Sequence, residues 1–234
     1  MAHRKIVFVI VEGPADDEAL AYLLGRIYDR NTVYVEIMHG DITSEKGAHA
    51  GTIRARLGEI LQRYMNSYHV TRAHFQEIVH IVDMDGAYIP DAAVTEDTTA
   101  ERPIYSLTKI RTARVQDIVN RNRTKQSCLN TISSTPTINR IPYQVYYMSC
   151  NLDHVLYDKL NSTDEEKEID SLNFARRYRS HVEEFVTFIS ESDFSIGGTY
   201  LESWDFIKQE NHSLERHTNF GICLKKALKD RVTT

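Results

Sequence analysis

The chain has 234 residues, a formal net charge of −5, 41% hydrophobic residues and 26% charged residues. This length allows one large α/β domain, or a core domain with a smaller appendage. No segment approaches the ~18 consecutive apolar residues of a membrane span, and the negative charge argues against nucleic-acid binding by the whole surface. The three cysteines are far apart and lack CxxC spacing. They fit a reducing cytoplasm, and favour neither a disulfide framework nor a zinc site.

Strands and helices alternate in the first third of the sequence. Residues 6–11 are continuously apolar and predict a buried strand. A helix follows, because apolar residues recur at helical spacing: Leu20, Leu23, Leu24, Ile27 and Tyr28. Further strands are predicted at 33–38 and 78–82, with a helix at 53–64 between them. This alternation indicates parallel βαβ units, with helices on both faces of a sheet of about four strands.

The pattern loosens after residue 86. Residues 87–108 predict a long loop, 109–129 a basic helix, 133–142 a second loop and 143–148 a fourth strand. From about residue 162, a three-to-four spacing of apolar residues predicts helices: Ile169, Leu172, Ala175, Val182, Val186 and Ile189. We therefore predict an α/β catalytic domain of residues 1–156, with 87–142 inserted before its last strand. Residues 157–234 are predicted to form a helical C-terminal extension.

Carboxylates follow the predicted strands. Glu12 ends the first strand, Asp83 and Asp85 end the third, and Asp153 follows the fourth. Asp16 lies one helical turn after Glu12. The carboxyl ends of parallel strands open onto one crevice, where clustered carboxylates repel one another unless a cation lies between them. Hard divalent cations take such oxygen ligands, so the pattern predicts a Mg²⁺ or Mn²⁺ site.

Two of these acids also have ordinary explanations. Asp16 stands in the first turn of a helix, where acidic residues are favoured by the helix dipole. Asp153 is also a candidate N-cap for a short helix that follows it. The sequence leaves both alternatives open.

The predicted helix at 109–129 is rich in basic residues. Its candidates for nucleic-acid binding are Arg111, Arg114, Arg121, Arg123 and Lys125. If the helix flanks the carboxylate crevice, these side chains would hold the phosphate backbone. The alternative is a solvated helix face without a binding role.

The segment Val11-Glu12-Gly13-Pro14 and the later Asp83-x-Asp85 resemble the motifs of the Toprim domain, over roughly residues 5–156. The resemblance implies a Rossmann-like fold, with Glu12 as acid/base or metal ligand and Asp83 and Asp85 binding Mg²⁺. Topoisomerase-type members often carry a third acid where this chain has Ala87. OLD-type members instead carry acids at the positions of Asp16 and Asp153, and the resemblance is closest to OLD-type and RloB-like nucleases.

The resemblance therefore implies a Mg²⁺- or Mn²⁺-dependent nuclease that hydrolyses DNA or RNA, in a branch with members that act in phage defence. OLD-type nucleases normally have an ATPase domain. This sequence has no GxxxxGK[ST] motif, so besides binding nucleic acid the nuclease either stands alone or works beside a separate ATPase chain. The oligomeric state is left open.

Two other functions fit part of the pattern. The segment from 81 to 86 also resembles the nucleophile motif of haloacid-dehalogenase-like phosphatases, with Asp83 as nucleophile and Asp85 as acid/base. That family has Thr at the position of Ala87, and it gives Glu12 no role. The second of these functions is that of a non-catalytic Toprim-like module that binds nucleic acid or a partner.

Overall fold

The computed structural model of the protein describes residues 4–28, 33–39, 42–44 and 47–233, without the side chains of 14–19, 33, 39 and 231–233. The strands are β1 (Lys5–Val11), β2 (Val33–His39), β3 (Phe75–Asp83), β4 (Val94–Glu96), β5 (Ile104–Tyr105), β6 (Ile110–Thr112), β7 (Thr137–Ile138) and β8 (Ile141–Met148). The helices are α1 (Pro14–Ile27), α2 (Ile53–Tyr68), α3 (Val115–Ser133), α4 (Leu152–Tyr157), α5 (Asp164–Tyr178), α6 (Val182–Glu191), α7 (Tyr200–Ile207) and α8 (Phe220–Thr233).

The central sheet has the strand order β2-β1-β3-β8-β7. Its four long strands are parallel, and the short β7 pairs antiparallel with β8. β1 is buried from its second residue to its last, as expected for a parallel strand covered on both faces. The predicted α/β class and the four predicted parallel strands are confirmed. The Toprim-like assignment stays a prediction.

Helices cover both faces of the sheet. Because side chains alternate along a strand, Val7, Val9 and Val11 of β1 pack on one side with α1, α5, α6 and α8. Phe8 and Ile10 point to the other side and pack with α2, α3 and α7. The carboxyl ends of β1 and β3 lie side by side between these two layers.

The segment between β3 and α3 differs from its prediction. The predicted loop 87–108 contains β4 and β5, which pair with β6 in a small second sheet of order β4-β6-β5. The predicted start of the basic helix at residue 109 is wrong, because α3 begins only at Val115. The preceding residues form β6, whose Ile110 and Thr112 are buried. Pairing with two other strands decides this conformation, and sequence periodicity does not contain that information.

The helices after residue 157 are part of the same core as the first strands. Phe174 of α5, Phe185 of α6 and Phe220 of α8 are buried in one apolar cluster with Val7 and Val9. The spacing of Ile169 and Leu172 helped to predict this helix, but these two side chains are 58% and 41% exposed, and other residues form the buried face of α5. Among the described helices, none is long and apolar enough to cross a membrane.

Candidate active site at the carboxyl edge of the sheet

Three of the predicted acids lie at one edge of the sheet. Glu12 directly follows β1, Asp83 is the last residue of β3, and Asp85 follows two residues later. β1 and β3 are hydrogen-bonded neighbours, and they run in the same direction. Chain segments about seventy residues apart in sequence therefore deliver their carboxylates to the same place, as the carboxyl ends of parallel strands do.

Lys125 joins two of these carboxylates. Its Nζ donates to Glu12 Oε2 at 3.2 Å and to Asp85 Oδ2 at 2.5 Å. The lysine side chain is 0% exposed, against 9% for Glu12 and 22% for Asp85. Thr43 Oγ1 donates to the other Glu12 oxygen at 3.3 Å. The site thus holds a buried positive charge between two acids from different strands, which offsets the cost of burying each of them.

The turn that carries Asp85 has a left-handed backbone. Asp85 has φ 48° and Gly86 has φ 69°. A side chain at Gly86 would meet Leu214 Cδ2 at 2.8 Å from its Cβ, so glycine is required here for conformation and for space. The Asp85 amide donates to Cys150 O at 2.7 Å, and the Gly86 amide donates to Ser213 O at 3.1 Å.

Helix α3 holds the two carbonyl oxygens of this turn. Arg121 Nη2 donates to Asp85 O at 2.8 Å, and Asn122 Nδ2 donates to Gly86 O at 3.2 Å. Arg121 Nη1 also donates to Tyr105 Oη at 2.7 Å, which ties β5 to the same point. With both amides and both carbonyls bonded, the backbone that carries the Asp85 carboxylate is fixed from four sides.

Burial and nearby negative charge raise the pKa of the Tyr105 hydroxyl and of the Cys150 thiol, so both groups stay protonated. Burial, followed by the nearby Asp85 charge, raises the pKa of Tyr105 to about 12. Burial, followed by the charges of Asp85 and Asp83, raises the pKa of the Cys150 thiol well above its usual range. A protonated thiol is a poor nucleophile, so the site offers no support for thiol catalysis.

Asp83 and Asp153 have different partners. Asp83 Oδ1 accepts a hydrogen bond from the Leu152 amide at 2.9 Å. Asp153 is 5% exposed and pairs with Lys167 of α5 at 3.3 Å. Burial raises the pKa of Asp153, and Lys167 partly offsets this effect. The N-cap of α4 is Asn151, so the alternative capping role for Asp153 is wrong.

The remaining predicted residues have different surroundings. The Asp16 backbone lies in the first turn of α1, but its side chain lies outside the described residues. Arg111 pairs with Asp97, Arg114 with Asp117 and Arg123 with Asp91, and these arginine side chains are 47%, 83% and 64% exposed respectively. Of the predicted basic set, only Arg121 and Lys125 are described in contact with the carboxylate turn.

The donor set at this edge has the chemistry of a hard-cation site. Glu12, Asp83 and Asp85 supply carboxylate oxygens, which Mg²⁺ and Mn²⁺ prefer. The Lys125 ammonium already occupies a position between Glu12 and Asp85. Within the described side chains, no group of three or more Asp, Glu, His or Cys residues is arranged to hold a metal ion.

Sequence reasoning did not identify Lys125 or Asn122 as part of the carboxylate cluster. A signal was present, because both lie at helical spacing from buried Ile118 and Leu129 on α3. Polar residues within an apolar helical stripe indicate buried partners. The contacts from Tyr105 and Ser213 have no comparable signal, since they depend on tertiary packing.

Comparison of the sequence with models of known protein families finds no match. A comparison with curated proteins finds no match either.

Proposed function

We propose that this protein is a divalent-cation-dependent nuclease with its centre at the carboxyl edge of β1 and β3. The observation that carries the proposal is the convergence of Glu12 and Asp85 on one buried cation, the Lys125 ammonium. Gathering acids around a buried positive charge adds little to stability compared with apolar packing. Such a cluster at this edge of a parallel sheet suits ligand chemistry.

Glu12, Asp83 and Asp85 are the groups that would hold Mg²⁺ or Mn²⁺, and Asp16 joins them by its position one turn after Glu12. When bound, such ions activate a water molecule and stabilise the leaving oxygen of a phosphodiester. Asp153 is left out of this set, because its carboxylate pairs with Lys167 of α5, whereas Glu12 and Asp85 share the same partner, Lys125 of α3. This choice differs from the OLD-type pattern, in which an acid after the fourth strand takes part.

Lys125 has two tasks in this proposal. It neutralises Glu12 and Asp85, so that the carboxylates stay together without a bound metal ion. It also supplies positive charge next to the carboxylates, where a phosphodiester would gain negative charge during cleavage. Arg121 acts on the backbone of Asp85, and so it positions a carboxylate.

The nucleic-acid strand would be held by exposed arginines of β6, of the N-cap of α3 and of α3 itself. Arg111, Arg114 and Arg123 each have an acidic partner on the surface, and such exposed pairs are weak. A phosphate can therefore replace the carboxylate at small cost, with counterion release favouring the exchange. Lys125 is excluded from this contact by its complete burial.

The test is cleavage of supercoiled plasmid DNA and of a single-stranded RNA, each with Mg²⁺, with Mn²⁺ and with EDTA. The diagnostic variant is Asp83→Asn, because its side-chain oxygen can still accept the hydrogen bond from the Leu152 amide. We expect metal-dependent cleavage that falls at least about a hundredfold in this variant. Asp193→Asn, well separated in sequence from the carboxylate edge, is the matched control and should cleave like the wild type.

Three results would contradict the proposal. The first is cleavage that persists in EDTA, and the second is equal cleavage by Asp83→Asn and wild type. The third is release of phosphate from a small monoester without cleavage of either nucleic acid. This last result would favour the phosphatase alternative, with Asp83 as nucleophile.

A further inference from the structure

Helix α5 carries apolar residues on the side that faces away from the core. Its inner side, with Phe174 and Tyr178, packs in the apolar cluster that covers one face of β1. Ile169 and Leu172 lie on the outer side and are 58% and 41% exposed. A single exposed apolar residue is common on protein surfaces, but two neighbours on one helix face form a continuous patch that another surface can cover.

These two residues belong to a longer row on the outer side of α5, which we call the outward stripe. Its members are all exposed: Glu165, Ile169, Leu172 and Arg176. Their spacing of four, three and four residues keeps them in line along a helix, and the same spacing marks the seam of a coiled coil. The apolar pair is therefore flanked by an acid on its N-terminal side and a base on its C-terminal side.

The two charges of the outward stripe are not used within the helix. Neither Glu165 nor Arg176 has an oppositely charged residue three or four positions away in α5. Among the residues that the structure describes, neither of them forms an ion pair. By contrast Asp170, on the flank of the same helix, pairs with Lys159 at 2.6 Å. The charges of the outward stripe are thus available to a partner.

The outward stripe is complementary to itself when its direction is reversed. Glu165 and Arg176 lie the same number of residues from the midpoint between Ile169 and Leu172. In an antiparallel pair of α5 helices related by a twofold axis, Ile169 of each copy therefore meets Leu172 of the other. Glu165 of each copy meets Arg176 of the other. The acidic first turn and the basic last turn of α5 also come together in this arrangement, and so do the opposite ends of the two helix dipoles.

We propose that the outward stripe of α5 is the contact surface of a twofold-symmetric homodimer of this protein. The apolar pair forms the centre of the contact, and the Glu165–Arg176 pairs set its direction and register, because parallel pairing would bring like charges together. Four residues from each copy are far fewer than the about 20–30 of a standard interface, so we expect a reversible dimer with a Kd in the micromolar range. The inference uses no residue of the carboxylate edge and is independent of the proposed nuclease function.

The experiment is sedimentation equilibrium of the full chain in EDTA, from low to high micromolar concentration. Leu172→Glu should weaken association at least about tenfold, because it places two carboxylates at the apolar centre of the contact. The matched control is Leu201→Glu, which introduces the same charge at a 69% exposed leucine of α7 and should associate like the wild type. Both positions are exposed, so both variants should keep the denaturation midpoint of the wild type within a few degrees.

Charge reversal tests the direction of the pairing. Glu165→Arg and Arg176→Glu should each weaken association, since each variant places like charges opposite one another in the antiparallel dimer. The double variant Glu165→Arg/Arg176→Glu restores opposite charges and should associate within about threefold of the wild type. A parallel pair would not show this recovery, because each residue would then face its own copy.

Each outcome decides the inference. Association that depends on Leu172 and recovers in the double charge reversal supports the antiparallel α5 dimer. A monomer at every concentration overturns it. Equal association of Leu172→Glu and Leu201→Glu also overturns it, because another surface would then hold the copies together. Weak association of both single charge variants without recovery in the double variant overturns the antiparallel register. None of these results affects the nuclease test, which is read from metal-dependent cleavage.

Discussion

Lys125 lies on the buried face of α3, together with Ile118, Asn122 and Leu129. A fully buried ammonium requires hydrogen-bonding partners, and Glu12 and Asp85 supply them. By charge alone, Lys125 belongs with the surface arginines of the same segment, and the sequence prediction grouped it with them. In the structure the difference is one of burial: the Lys125 side chain is 0% exposed, whereas the side chains of Arg111, Arg114 and Arg123 are 47%, 83% and 64% exposed.

Replacing Lys125 should destabilise the protein strongly. In Lys125→Met the acids Glu12 and Asp85 lose the cation between them, and breaking a buried pair costs about 3–5 kcal/mol. We expect a loss of that order in urea unfolding in EDTA. Mn²⁺ should restore part of it, because a divalent ion can take over the neutralisation of the carboxylates.

Arg123→Met is the matched control, since it also removes a cation from α3. Its partner Asp91 is 52% exposed, and exposed pairs contribute about 1 kcal/mol or less. An equal loss of stability in the two variants would contradict the buried-pair assignment of Lys125.

His217 should make stability depend on pH. Burial lowers the pKa of His217, while Glu215 opposes the shift and His212 reinforces it. A folded-state pKa below the unfolded value of about 6.5 means that folding disfavours the charged imidazole, so stability falls as pH decreases through this range. Between pH 7 and pH 5, we expect the free energy of unfolding to decrease less in His217→Gln than in the wild type.

The contribution of His217 is the difference between wild type and His217→Gln in this pH-dependent decrease of the free energy of unfolding. The pKa of His154 is also lowered by burial, and this residue contributes to the wild-type decrease in the same pH range. The same pH dependence in His217→Gln and wild type would show that His217 is not responsible.

The turn after β3 is the element that sets the geometry of the site. The sequence predicts β3, its two acids and the sharp exit at Gly86. It does not predict that α3 and the segment around Ser213 close on this turn. These contacts come from residues more than thirty positions away, and local periodicity carries no information about them.

Gly86→Ala should destabilise the protein by more than about 1 kcal/mol, because alanine disfavours positive φ and its Cβ would contact Leu214 and Ile110. Chemical denaturation of both proteins measures the effect. Gly197→Ala is the control, since no atom of the described residues lies within 4 Å of the position that its Cβ would take. Equal stabilities of the two variants would contradict the close packing at the turn.

The conformation of β6 and the buried face of α5 both depend on packing that the sequence pattern does not contain. Ile110 and Thr112 of β6 are buried by strand pairing, where the sequence suggested a helix. In α5 the buried positions include Ser171, Phe174 and Tyr178, while the apolar Ile169 and Leu172 face outward. Apolar spacing identifies helices and strands well when their partners are adjacent in sequence. It fails when a distant segment decides which face is covered.

In the described structure, α5, α6 and α8 pack in one apolar cluster with β1 and α1, so residues 1–157 should not fold alone. Without Phe174, Phe185 and Phe220, the apolar side chains of β1 and α1 on that face lose their cover. We expect a fragment ending at residue 157 to show no cooperative thermal unfolding by circular dichroism, unlike the full chain. A cooperative transition in the fragment would instead support residues 1–156 as an independent domain.

Much of the architecture can be predicted from sequence. The four parallel strands follow from short apolar runs, and their acidic ends follow from the residues after each run. The edge that collects Glu12, Asp83 and Asp85 could thus be predicted, since parallel strands end together. Two contacts could not be predicted: the pairing of Lys125 with Glu12, and the pairing of Asp153 with Lys167. Both depend on how helices pack over the sheet.

The most direct test of the proposed cation site is Mn²⁺ binding followed by electron paramagnetic resonance, with Mg²⁺ as competitor. We predict that wild-type protein binds Mn²⁺ and releases it to Mg²⁺. We also predict that Asp83→Asn binds Mn²⁺ at least about tenfold more weakly, while Asp193→Asn binds normally. No Mn²⁺ binding by the wild type, or equal binding by wild type and Asp83→Asn, would contradict the claim that this edge of the sheet is a cation site.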